Sequence, residues 1–142
     1  MNATMVAARR RDEAYFDIFI TALEGGINYW AACNEYRWML QGADPTQPFD
    51  DIQDVTGFRA VIFDHEDGDK DTATGDDLKV IDRAAIARGV SKYVEWAKDH
   101  TQPYLKRAAI DLRDGNWDDL DVDATIADCI VQFAIFGEVV FG

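Results

Sequence analysis

Glu24, Asn28, Tyr29, Trp30, Tyr36, Arg37 and Trp38 fall within fifteen residues of one another, directly behind and beyond the pair Gly25-Gly26. These residue types together suit recognition of a flat ligand. Aromatic faces stack on planar groups, Asn and Glu read donor and acceptor edges, and Arg supplies a fixed cation. The candidate ligand-binding set is therefore Glu24, Gly25, Gly26, Asn28, Tyr29, Trp30, Tyr36, Arg37 and Trp38. A competing reading makes Trp30 and Trp38 ordinary core aromatics and Gly-Gly only the end of a helix.

Other chemistries find less support in the residue pattern. Ser91 is the only serine and lies in a helical pattern rather than a GxSxG elbow. Cys33 and Cys129 are far apart in sequence and sit among apolar residues, which reads as two buried thiols in a reducing cytosol. His65 and His100 lie in no HExxH or paired-ligand spacing, so no metal is expected. There is no Walker A loop, and Gly25-Gly26 lacks the rest of a dinucleotide fingerprint. No catalytic residue and no cofactor are assigned.

The elements that must position these residues can be read from spacing. Tyr15, Phe16, Phe19, Ala22 and Leu23 predict a helix over residues 12–23, with one of the two glycines taking a left-handed conformation to end it. Residues 1–11 have no apolar period and read as a flexible N-terminus. Residues 27–39 fit a strand, favoured by aromatic content, or a helix that aligns Trp30, Asn34 and Trp38. Residues 57–64 are β-branched and aromatic and predict a strand, residues 65–77 an acidic hairpin loop, and residues 78–81 a returning strand. Asp82 is a candidate cap for a helix reaching Lys98, where Gly89 implies close packing against another backbone. Pro103 suits the first turn of the next helix, and Asp121 or Asp123 caps a last helix whose face is Ile126, Ile130, Phe133 and Gly137 and whose C-terminal half is apolar nearly all round. The expectation is a single α+β domain over residues 12–142. About three antiparallel strands pack on several helices, and the C-terminal helix is central.

Composition bounds the partners. At 142 residues, 48% hydrophobic and 12% aromatic, the chain can bury a core as one domain. Its net charge of −13 repels nucleic acid and anionic membrane surfaces, and its longest apolar run is too short to span a bilayer. Between Asp44 and Asp77 eleven acids face only Arg59 and Lys70. Asp67, Asp69 and Asp71 alternate as calcium ligands do, but Thr72 and Leu78 stand where the turn glycine and the closing Glu of such a loop belong. A solvated loop that blunts a sheet edge, a weak cation site or a patch for a basic protein remain as readings of this segment.

Several blocks carry a resemblance. The run Thr21 to Trp30 (TALEGGINYW), the Tyr36-Arg37-Trp38 string, Ala84 to Val90, and the closing runs Asp123 to Phe133 and Phe136 to Gly142 resemble small accessory proteins of tailed bacteriophages and prophages, chiefly of actinobacteria. The long acidic hairpin departs from that pattern. The resemblance implies a viral origin and action in the host cytoplasm, and no defined mechanism. The leading expectation is an accessory protein that binds a host protein or a small, nucleotide-like ligand to counter a host defence. The alternatives are an acidic nucleic-acid mimic that inhibits a basic host protein, and a small enzyme or a virion component. Phe141 and the apolar tail also suit a homo-oligomer interface.

Overall fold

The computed structural model describes residues 2–64 and 78–142. A long helix α1 (Ala3–Thr21) widens into a π-helical turn (Ala22–Gly26) and leads through a tight turn to strand β1 (Ala31–Arg37). A short helix α2 (Phe49–Ile52) precedes strands β2 (Arg59–Asp64) and β3 (Lys79–Asp82). Helices α3 (Arg83–Ala97), α4 (Pro103–Asp114) and α5 (Ala124–Phe136) complete the chain. The three strands form one antiparallel sheet in the order β1-β2-β3. The α+β architecture read from residue spacing is thus the one observed. The acidic segment with Asp67, Asp69 and Asp71 lies outside the described residues.

Local chemistry explains most boundaries. Asp82 and Asp123 accept the amides of Ala85 and Ile126, each at 2.9 Å, and so start α3 and α5. Pro103 occupies the first turn of α4, where its missing N–H costs nothing. Helix α5 is the centre of the molecule: every residue from Ile126 to Phe133 is buried, so it needs no amphipathic stripe. Its closest neighbour is α3, and the reason is Gly89. A Cβ there would stand 2.2 Å from the Ile130 carbonyl oxygen, so only glycine lets the two backbones approach this far.

Three local expectations are corrected. The first helix begins at Ala3, capped by the Asn2 side chain accepting the Met5 amide at 2.9 Å. Its first turns expose Met5 and Val6, so they carry no buried face for a periodic reading to detect. Neither Gly25 nor Gly26 takes a left-handed conformation. The helix instead ends by widening, with the Ile27 amide donating to the Ala22 carbonyl at 3.0 Å. Gly26 is required for space, since its Cβ would lie 2.9 Å from the Ala124 carbonyl oxygen at the start of α5. Cys33 is exposed rather than buried, on a strand at the sheet edge, while Cys129 is buried as expected.

Residues 27–39 resolve into two parts. The amides of Trp30 and Ala31 both turn back to the Ile27 carbonyl, which makes 27–30 a hook. The strand begins only at Ala31 and carries a bulge between Cys33 and Glu35. Beneath the sheet, Phe16, Phe19 and Phe58 meet with ring centres 4.4–6.4 Å apart. An Arg83–Asp12 ion pair at 2.6 Å ties α3 to α1.

Candidate functional site

The hook at residues 27–30 points its aromatic residues at α5, and two polar residues of that helix receive them. Asp128 and Gln132 are four residues apart, so they share one helix face. Asp128 is 7% exposed and Gln132 fully buried. The Asp128 carboxylate accepts three donors: the Tyr29 hydroxyl at 2.6 Å, the Trp30 indole N–H at 2.7 Å and the Gln132 amide at 2.9 Å. A carboxylate withdrawn from water is costly unless donors surround it, and here they do.

Gln132 uses its whole hydrogen-bonding capacity. Its Nε2 donates to Asp128 Oδ1 and, at 3.2 Å, to the Phe141 carbonyl. Its Oε1 accepts the backbone amides of Val140 and Phe141, both at 2.8 Å. This pattern fixes the amide's orientation, because a flip would set Oε1 against the Asp128 carboxylate. It also clamps the tail that follows Gly137. Phe141 then stacks flat on Trp30, with ring centres 5.1 Å apart and planes 10° from parallel, and meets Phe136 edge-on.

A cleft of about 590 Å³ opens beside this knot. Gly25, Gly26 and Tyr29 form one wall, Trp96 and Leu105 another, and Phe141 a third; Thr125, Asp128 and Cys129 of α5 make the base. Its surface is mainly apolar, and its size falls within the roughly 300–1,000 Å³ usual for small-molecule sites. Burial, reinforced by the hydrogen bond to Asp128 and that group's charge, pushes the Tyr29 phenol up to about 12. Tyr29 therefore keeps its proton near neutrality and remains a donor. Burial and then the Asp128 charge push the Cys129 thiol up to about 11, so the sulfur stays protonated and is a poor nucleophile.

The residues singled out from sequence divide between two places. Gly25, Gly26 and Tyr29 line the cleft, and Trp30 lies directly beneath it, 3% exposed. Asn28 is exposed at the tip of the hook, and Glu24 is exposed on the π-helical turn. Tyr36, Arg37 and Trp38 sit at the far end of β1, about 20 Å from Ala31 at the rise of an extended strand. There Tyr36 packs on Phe19, Trp38 packs on Phe49, and Arg37 donates to the Gly57 carbonyl at 2.6 Å. Burial, with the charge of Glu24 behind it, pushes the Tyr36 phenol up to about 12. Glu24, Asn28 and Arg37 thus do not converge beside Trp30.

Asp128, Gln132 and Trp96 escaped the residue-level reading, and Phe141, read there as a candidate for an interface between copies, packs on Trp30 of its own chain. A signal was present: two polar residues one turn apart in an otherwise apolar helix imply a partner inside the fold. No family model matches the chain, and neither a curated protein nor a solved structure is significantly similar to it. Function must therefore be argued from the site itself. Among the described residues no helix is long and apolar enough to cross a membrane, and no group of three His, Cys, Asp or Glu side chains could hold a metal ion.

Proposed function

We propose that this chain is a binding protein, an accessory protein of phage origin, that holds a flat, uncharged organic molecule in the cleft between the 27–30 hook and α5. One observation carries the reading: a mainly apolar cleft walled by Tyr29, Trp96 and Phe141, with the Thr125 hydroxyl at its base. Aromatic walls take a planar ring, and the Thr125 hydroxyl at the base can orient its polar edge, while Asp128, occupied by its internal donors, holds the Tyr29 wall in place. The expected nucleotide-like ligand narrows accordingly to a nucleobase or nucleoside. Phosphate is disfavoured by a chain of net charge −13, by the nearby carboxylate, and by the distance of Arg37, the one fixed cation of the expected ligand set. In an infected cell, sequestering such a molecule withdraws it from a host response.

Purified protein should release a small molecule on heating that mass spectrometry identifies. A panel of bases, nucleosides and nucleotides in a thermal-shift assay should stabilise in that order of preference over phosphorylated forms. Trp96→Ala, at a residue 42% exposed, should abolish the shift without unfolding the chain. No released molecule, together with no shift from any member of the panel, removes the proposal.

A further inference from the structure

A second cavity, of about 280 Å³, lies between α4 and the start of α5, lined by other residues than the cleft just described. Asp111, Asp119, Asp121 and Asp123 line it, with Arg107 and Tyr104 beside them. Acidic surfaces are common on a chain of this charge, and four aspartates alone mean little. Asp111 sets this cavity apart. It is 7% exposed, its Oδ1 accepts the Asn116 amide at 3.2 Å, and its Oδ2 has no hydrogen-bond partner among the described residues. A buried carboxylate oxygen without a donor carries its full desolvation cost, so natural proteins rarely keep one unless something binds there.

We infer that this cavity is a binding site for an organic cation, a guanidinium or primary ammonium group, with Asp111 as its innermost acceptor. The sign follows from four carboxylates against one arginine. A metal ion fits poorly, because no three acidic side chains among the described residues approach closely enough to coordinate one. A guanidinium or ammonium presents several N–H donors over a wider span and can bridge carboxylates that a metal cannot. The volume suits a group the size of one side chain. Asp111 Oδ2 is closed to solvent, so binding includes a rotation of its carboxylate toward the cavity. Arg107 stands four residues before Asp111 on α4 and at the same cavity, where its charge opposes an incoming cation.

The test is an amide-resolved NMR titration of the full chain at physiological salt, which screens generic attraction to its surface. Agmatine, a Gly-Arg-Gly peptide and magnesium chloride are the three probes. Agmatine is expected to give saturable shifts confined to residues 104–126. Asp111→Asn should weaken it about tenfold, the usual worth of one charge-assisted hydrogen bond. Arg107→Gln should tighten it, and Asp121→Asn, at an exposed position, should weaken it without endangering the fold. Tighter binding of the peptide identifies a partner's basic side chain as the source, and tighter binding of agmatine a free amine; both support the site. Shifts that never saturate, that persist unchanged in Asp111→Asn and Asp121→Asn, or that magnesium reproduces more strongly overturn it.

Discussion

Asp111 and Asp128 are each 7% exposed, on neighbouring helices of one domain, yet their surroundings are opposite. Asp128 has three donors on its two oxygens. Asp111 has one side-chain donor on Oδ1, and none of the described residues reaches Oδ2. The first carboxylate is a structural fastener: it draws the 27–30 hook onto α5 and, through Gln132, holds the tail. The second is left under-satisfied at the edge of a cavity. Equal burial therefore says little about role, and the count of donors says a great deal. A saturated buried acid organises the protein around itself, whereas an unsaturated one is open to a donor from outside.

The sharpest way to break this contrast is to remove the fastener. Asp128→Ala leaves the Trp30 indole and one Gln132 N–H without an acceptor, while Tyr29 can turn to water. Each orphaned donor costs about 1–3 kcal/mol, so a loss of about 3 kcal/mol is expected in urea denaturation followed by tryptophan fluorescence. A loss below 1 kcal/mol defeats the fastener reading. Next in size is Gly89→Ala, which presses a methyl group onto the Ile130 carbonyl and displaces α5. Overpacking of this kind costs about 1–3 kcal/mol. Because Asp128 and Gln132 flank Ile130 on α5, the variant should loosen the tail, reported by increased amide exchange at Val140 and Phe141.

Much of this framework could be read from residue types. Asp82, Asp123 and Pro103 announced their helices because capping and proline geometry are local effects that need no tertiary partner. The nearly all-round apolar character of the C-terminal half of the last helix announced a central helix, and Gly89 a close backbone contact. What escaped was set by contacts between distant segments. Gly25-Gly26 reads locally as a helix cap, and only the position of Ala124 reveals that Gly26 is there for space. Tyr29 and Trp30 belong with Asp128, about a hundred residues later, so no window along the chain unites them. Conversely, Tyr36, Arg37 and Trp38 are close in sequence to the hook but are carried away from it by an extended strand.

A pH titration sharpens the comparison from the side of the donors. Tyr29 has its phenol raised from 10 to about 12 by burial and by Asp128. A group whose folded value lies above its unfolded one contributes stability in full below the unfolded value, and loses it as pH rises toward the folded value. Stability should therefore hold to about pH 10 and decline between about pH 10 and 12. Tyr36 contributes in the same window, since it is raised to about 12 as well. Asp128→Asn separates the two. Ultraviolet titration of tyrosinate should then show one tyrosine ionising earlier, and Tyr29→Phe should remove that step. If the early step survives Tyr29→Phe, the hydroxyl is not coupled to Asp128.

Asp111 should give the smallest effect, and its smallness is the point. In Asp111→Asn the Oδ1 acceptor for Asn116 is retained, and a buried carboxylate lacking a donor on Oδ2 gives way to an amide. The new N–H reaches the acceptors of Asp119, Asp121 and Asp123 by the same rotation toward the cavity that the carboxylate makes. Removing an under-satisfied buried charge is commonly neutral or stabilising, so a change between zero and a gain of about 1 kcal/mol is expected in urea denaturation. Set beside a loss of about 3 kcal/mol at Asp128, this places the two acids on opposite sides of zero despite their equal exposure. A loss above 1 kcal/mol at Asp111 would mean that its carboxylate supports the fold as Asp128 does. The contrast between a structural acid and one held ready for an external donor would then collapse.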